Sequence, residues 1–128
     1  MLSQLGQIAY NVSDVDRTEV FYEQTLGLKK LYRYGDLVFF DCNGVRLMLA
    51  KPENGEAVVT QGAIYFKVPD LPAAVADLKS RNAPFIDTMH LVAPMPDHDL
   101  WMTFVKDPDG HLIGLMMEAP KGWRPPEA

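Results

Sequence analysis

The sequence predicts an α+β fold built from two βαβββ modules, and two observations carry that expectation. First, the chain is written twice. "QIAYNVSDV" (residues 7–15) reads like "AIYFKVPDL" (63–71), and "DCNGVRLML" (41–49) reads like "DPDGHLIGL" (107–115). Second, each half runs through the same order: a short alternating segment, a helical stretch, then two or three more alternating segments. A repeat at this period means one supersecondary unit used twice.

Each element has a local reason. Residues 8–12 alternate and predict a strand. Ser13 or Asp14 can cap the helix that follows, which runs to about Leu26 and stops at Gly27. Val20, Phe21 and Leu26 are its expected apolar stripe. Strands follow over about 28–34, 37–41 and 45–50, with Asn43-Gly44 as a strong hairpin signal. Residues 51–62 are polar, carry Pro52 and two glycines, and form the expected linker. The repeats are therefore about 5–50 and 63–118, in one domain spanning 1–128.

In the second half, 63–68 predicts a strand. Asp70 caps a helix with Pro72 in its first turn, where proline is tolerated. Leu71, Val75 and Leu78 share one face, and Asn82 and Pro84 end it. A strand over 85–91, a proline-rich loop at "VAPMPDHD" and a last hairpin (100–105 and 111–118) complete the module. Residues 119–128 read as an irregular tail, in which Trp123 is a candidate to dock or to clasp a partner.

Strand alternation assigns faces. Ile8, Tyr10 and Val12 should meet the helix, leaving Gln7, Ala9 and Asn11 on the other face. Arg46 and Met48 share that helix-free side. So, in the second half, do Ala63, Tyr65, Lys67, Leu112, Gly114 and Met116. His111, just after a turn, is expected to be exposed.

Composition narrows the function classes. A chain of 128 residues with net charge −5 and pI about 5.0 lacks the basic footprint of a nucleic-acid binder. A membrane-surface role is disfavoured on the same ground. No apolar run approaches the roughly 18 residues of a membrane span, and the first residues lack a signal-peptide pattern. Cys42 is the only cysteine, so no intrachain disulfide forms. These features predict a cytoplasmic protein.

The doubled pattern, with its "VSD" and "VPD" strand ends and "DPDGHLIGL" near the C-terminus, resembles the vicinal oxygen chelate superfamily of glyoxalases, bleomycin-resistance proteins and extradiol dioxygenases. The resemblance covers about residues 5–117. It implies a half-open curved mixed β-sheet barrel with the helices outside, and a homodimer. It also implies a divalent metal held by His, Glu or Gln from the first and last strands of each module. Those four positions are Gln7, Met48, Ala63 and Gly114 here. An amide, a thioether, a methyl and a hydrogen make a poor set for a hard cation, so no cofactor is expected, a divalent metal remaining open only through other ligands, such as His90 and His98.

By the same register Met102 and Phe104 join Met48, Ala63, Tyr65, Gly114 and Met116 on an apolar surface, with the missing Gly114 side chain expected to add volume. Gln7, Arg46 and Lys67 are the polar candidates beside it, and an arginine offers a bidentate fork to a carboxylate or phosphate. The resulting expectation is a protein that binds or sequesters a small apolar or aromatic molecule. The alternative is a superfamily enzyme, a glyoxalase-like lyase, an epimerase or an extradiol-type dioxygenase, with a metal recruited by other residues or, metal-free, with His90, His98 or Tyr65 as acid–base groups. Cys42, beside Asp41, has nothing to activate it as a nucleophile.

Overall fold

The computed structural model describes residues 1–126, so the last two positions of the expected tail lie outside the described residues. The chain divides into two compact units, Met1–Thr60 and Gln61–Ala128. Each is a βαβββ module with a four-stranded mixed sheet that stays open. The order is β1-β4-β3-β2 in the first and β5-β8-β7-β6 in the second.

In the first unit, β1 (Gln7–Asn11) leads into α1 (Val15–Val20). Asp14 is the N-cap, and its carboxylate accepts the Arg17 N–H at 3.0 Å. The helix then widens into a π-type turn over Phe21–Thr25, where Leu26 N–H donates to the Phe21 carbonyl at 2.9 Å. The expected stripe is corrected, because the inward residues keep ordinary i, i+3, i+7 helical spacing and Val20 lies off it. Val20 is 57% exposed, while Val15, Thr18 and Tyr22 face inward.

The strands β2 (Lys29–Tyr34), β3 (Leu37–Cys42) and β4 (Val45–Ala50) form an antiparallel meander, and β1 pairs parallel to β4. Val38, Phe40, Leu47 and Leu49 are buried on the helix side, with the Tyr22 and Phe40 rings 5.9 Å apart. Fully burying such side chains contributes about 1.5–3 kcal/mol each. Arg33 and Lys30 tie β2 to the helix through Asp16, Glu19 and Glu23. Burial pushes the Glu19 carboxyl up, but its bonds to Arg33 and Lys30 outweigh that and hold it below its usual range.

The second unit repeats the plan. β5 (Ala63–Lys67) leads to α2 (Leu71–Ser80), capped by Asp70, which accepts the Ala73 N–H at 3.1 Å. Leu71, Val75 and Leu78 are buried as expected. Asn82 takes a left-handed φ of 62° just past the helix end. β7 (Asp99–Lys106) and β8 (Leu112–Ala119) form the last hairpin.

Four expectations are corrected here. The strand foreseen at 85–91 lies instead at β6 (His90–Pro94), and 85 keeps only a single bridge, to Val105. Part of the supposed loop is therefore strand, and Pro94 is accommodated because β6 is an edge. β8 extends through Ala119, so the tail begins one residue later. His111 is 2% exposed, not on the surface. Asp107 draws the turn back on itself, its carboxylate accepting the Asp109 and His111 N–H groups at 3.0 and 2.8 Å.

The tail docks on its own unit. Trp123 packs edge-on against Trp101 with ring centroids 5.4 Å apart. Lys121 Nζ reaches Asp99 Oδ1 at 2.6 Å, and Gly122 N–H donates to Asp99 Oδ2 at 2.9 Å. Trp123 thus docks within the chain, one of the two roles expected of it.

Candidate ligand-binding faces

Each sheet has one face packed on its helix and one that its helix does not cover. The expected assignment of residues to these faces holds. In the first unit Gln7 pairs across from Arg46, and Ala9 from Met48. Phe39 lies opposite Met48, and Tyr32 opposite Phe39. Gln7, Arg46, Met48, Phe39 and Tyr32 therefore share the helix-free face. Arg46 Nε donates to Gln7 Oε1 at 2.8 Å, and its Nη1 to the Tyr32 oxygen at 3.4 Å. The guanidinium carbon sits 5.3 Å from the Phe39 ring centre, within cation–π range. Tyr32 and Phe39 are 4.6 Å apart, centre to centre. Gln7 also points its amide nitrogen at the Met48 sulfur, 3.8 Å away. Sequence reasoning missed Tyr32 and Phe39, although their alternation along β2 and β3 could have placed them.

In the second unit Tyr65 pairs with Gly114, Lys67 with Met116, and Ala63 with Leu112. Phe104 lies opposite Gly114 and Met102 opposite Met116. Tyr65 is half exposed, and its ring meets Phe104 edge-on at 5.8 Å. His90 stacks on Phe104 itself, ring centres 6.3 Å apart. Its Nδ1 donates to the Thr88 carbonyl at 2.8 Å, which leaves Nε2 as the second ring nitrogen for an outside partner.

Gly114 does not open space. A Cβ built on it would lie 2.5 Å from Tyr65 Cδ2 and 3.0 Å from Phe104 Cε1. The two rings fill the place its side chain vacates, which corrects the expected gain in volume. By topology the pair Tyr65–Gly114 matches Ala9–Met48 in the first unit, with large and small exchanged.

At the end of β8 a chain of charges runs across the face. Lys67 Nζ is 2.6 Å from Glu118 Oε2, and Glu118 Oε1 is 3.6 Å from His98 Nε2. His98 Nδ1 is bonded to Asp97 at 2.8 Å. The Lys67 bond holds the Glu118 carboxyl below its usual range, and His98 does the same for Asp97. His90 thus lies against both the Phe104 ring and the Asp87 carboxylate, 3.7 Å from its Nδ1, while His98 lies between two carboxylates. Cys42 is far from activated: burial and the neighbouring Asp41 charge push its thiol up.

The positions assigned by resemblance to metal ligands do not fit a divalent ion. Ala63 and Gly114 bring no donor, and Tyr65 covers Gly114. The Gln7 oxygen is already bonded to the Arg46 cation, and Met48 offers only a thioether. Among the described residues, no three His, Cys, Asp or Glu side chains cluster closely enough to hold a metal.

Two βαβββ modules, each with Asp-capped helix, parallel first–last strand pair and helix-free sheet face, define the vicinal oxygen chelate class of fold. The chain belongs to the glyoxalase/bleomycin resistance protein/dioxygenase superfamily, whose family model matches residues 4–115. Solved structures agree on the fold. A glyoxalase/bleomycin resistance protein/dioxygenase from Alicyclobacillus acidocaldarius is 20% identical with a TM-score of 0.74, covering 92% of this chain and 95% of its own. One from Nocardioides is 16% identical at 0.74, covering 100% and 91%. A lactoylglutathione lyase from Agrobacterium tumefaciens is 26% identical at 0.68, covering 90% and 93%.

Proposed function

We propose that this protein binds or sequesters a small apolar or aromatic molecule on its helix-free sheet faces, without the superfamily's metal and without another cofactor. The observation that supports this reading is the aromatic and thioether surface of the second unit. There a half-exposed Tyr65 stands over Gly114 beside Phe104, with Met102 and Met116 in the adjoining row. Rigid aromatic walls and polarizable sulfurs bind flat apolar guests at low entropic cost. Thermal-shift screening against aromatic compounds and metabolites tests it. A ligand at 100 times its Kd should stabilise the fold by about 2.7 kcal/mol. No stabilisation by any compound, together with measurable turnover of a superfamily substrate, would sink the reading.

A second reading is an enzyme of the superfamily, a lyase, epimerase or dioxygenase. It is favoured by His98, bracketed by Asp97 and Glu118, and by the name of the 26% identical Agrobacterium protein, a lactoylglutathione lyase. In it His98, His90 or Tyr65 would move the proton. Loss of activity in His98→Gln with ligand affinity kept would support it. The family resemblance also motivates a homodimer, and the composition with its single cysteine a cytoplasmic location; analytical ultracentrifugation and cell fractionation test them.

A further inference from the structure

By strand register the helix-free faces carry Lys29 and Arg46 in the first unit and Lys67 and Lys106 in the second, and Arg46 is the one guanidinium among them. Lys67 is neutralised by Glu118 at 2.6 Å. Arg46, among the described residues, makes no ion pair; it is held by the Gln7 amide oxygen, the Tyr32 hydroxyl and the Phe39 ring. Its cross-strand neighbour Asp41 instead accepts the Gly44 N–H at 3.0 Å, completing the hairpin turn. Neutral partners fix the guanidinium without cancelling its charge. They engage Nε and Nη1, while Nη2 and a second hydrogen on Nη1 remain for an end-on fork.

A fork held in place loses little rotamer freedom on binding, which favours affinity. Beside it stand Tyr32, 48% exposed, and Phe39 under the guanidinium. The geometry points to Arg46 as a carboxylate-recognition residue, and to planar aromatic carboxylates as the ligand class. The fork matches one planar carboxylate, and a chain of net charge −5 repels a phosphate dianion more than a monoanion. This assignment rests on the small-molecule reading above and adds the charge of the guest.

Titration with 1-naphthoate and its uncharged counterpart 1-naphthamide tests it. The carboxylate is expected to bind about tenfold tighter, the equivalent of one charge-assisted contact. In Arg46→Gln the preference should vanish, the carboxylate losing more affinity than the amide. Arg46→Lys, which keeps the charge without the fork, should keep part of it, and Lys51→Gln, an exposed linker position, should keep all of it. Melting curves of the variants separate loss of the contact from loss of the fold. Equal binding of the two probes, or a preference that survives in folded Arg46→Gln, overturns the assignment while leaving the small-molecule reading standing. Binding of neither probe overturns it as well. In that case the wider panel of neutral aromatics decides separately whether the small-molecule reading falls too.

Discussion

The Tyr65 ring lies in the place where Gly114 would carry a side chain, with Cδ2 2.5 Å from an ideal Cβ. The two residues are direct partners in the parallel pair of β5 and β8. An aromatic laid over a strand glycine restores the cross-strand contact that the glycine forfeits. The first unit solves the same packing problem with Ala9 and Met48. A glycine that weakens a strand on paper is thus half of a size-matched pair.

That relationship sets the sign of a substitution. Gly114 has no left-handed φ, so alanine suits its backbone. Taken alone, that change would stabilise by about 0.4–1 kcal/mol through the unfolded chain. With Tyr65 in place the new methyl overpacks, and the expected net result is a loss of about 1–2 kcal/mol. In a Tyr65→Ala background Gly114→Ala should be neutral or stabilising. Denaturant melts of the four proteins in the double-mutant cycle check this; additive effects would show that the ring simply swings away.

Metal uptake follows from the same residues. Protein purified without chelator is expected to carry less than stoichiometric Zn, Ni, Mn or Fe by elemental analysis, because Ala63 and Gly114 offer no ligand atom. Adding Gly114→Glu alone should not create tight binding, since Tyr65 occupies the space the carboxylate needs. Stoichiometric metal in the unmodified protein would refute the placement of these four positions.

The two helix caps offer a test of the repeat itself. Asp14 and Asp70 have nearly the same backbone, φ −137° and ψ 101° against φ −141° and ψ 95°, and each accepts the N–H three residues on. Replacing either with alanine should cost about 1 kcal/mol, readable as a shift in the urea midpoint. A cost at one site and none at the other would mean that the caps are not equivalent.

Much of this architecture is legible in the residues, and the gaps have physical causes. Strand alternation and the Asp caps are local signals, so β1, β5, both hairpins and the face assignment of Arg46, Lys67 and Gly114 follow from them. The stripe of α1 does not, because the inward set Val15, Thr18 and Tyr22 keeps ordinary helical spacing but includes a polar residue, while the apolar Val20 lies off it. His111 was misplaced because Asp107 folds its turn back onto the unit. Which charge is cancelled is a matter of three-dimensional neighbours. Nothing in "VRLML" or "YFKV" says that Lys67 meets Glu118 while Arg46 meets an amide.

The docking of the tail should depend on acid. Asp99 is buried, and its hydrogen bond from Lys121, then that from Gly122 N–H, holds its carboxyl below the usual range. A carboxyl lowered by folding contributes stability above its unfolded value and loses it as pH falls through the folded value. The Lys121–Asp99 anchor is therefore complete at neutral pH and released only in acid, below the ordinary aspartate range. Because Trp123 sits edge-on to Trp101, release should diminish the near-UV circular dichroism of the pair. Asp99→Asn should weaken that signal at neutral pH and flatten its acid dependence, and truncation after Pro120 should abolish it at every pH. A truncated protein that keeps the full tryptophan signal would show that the Trp101–Trp123 contact is not formed in solution.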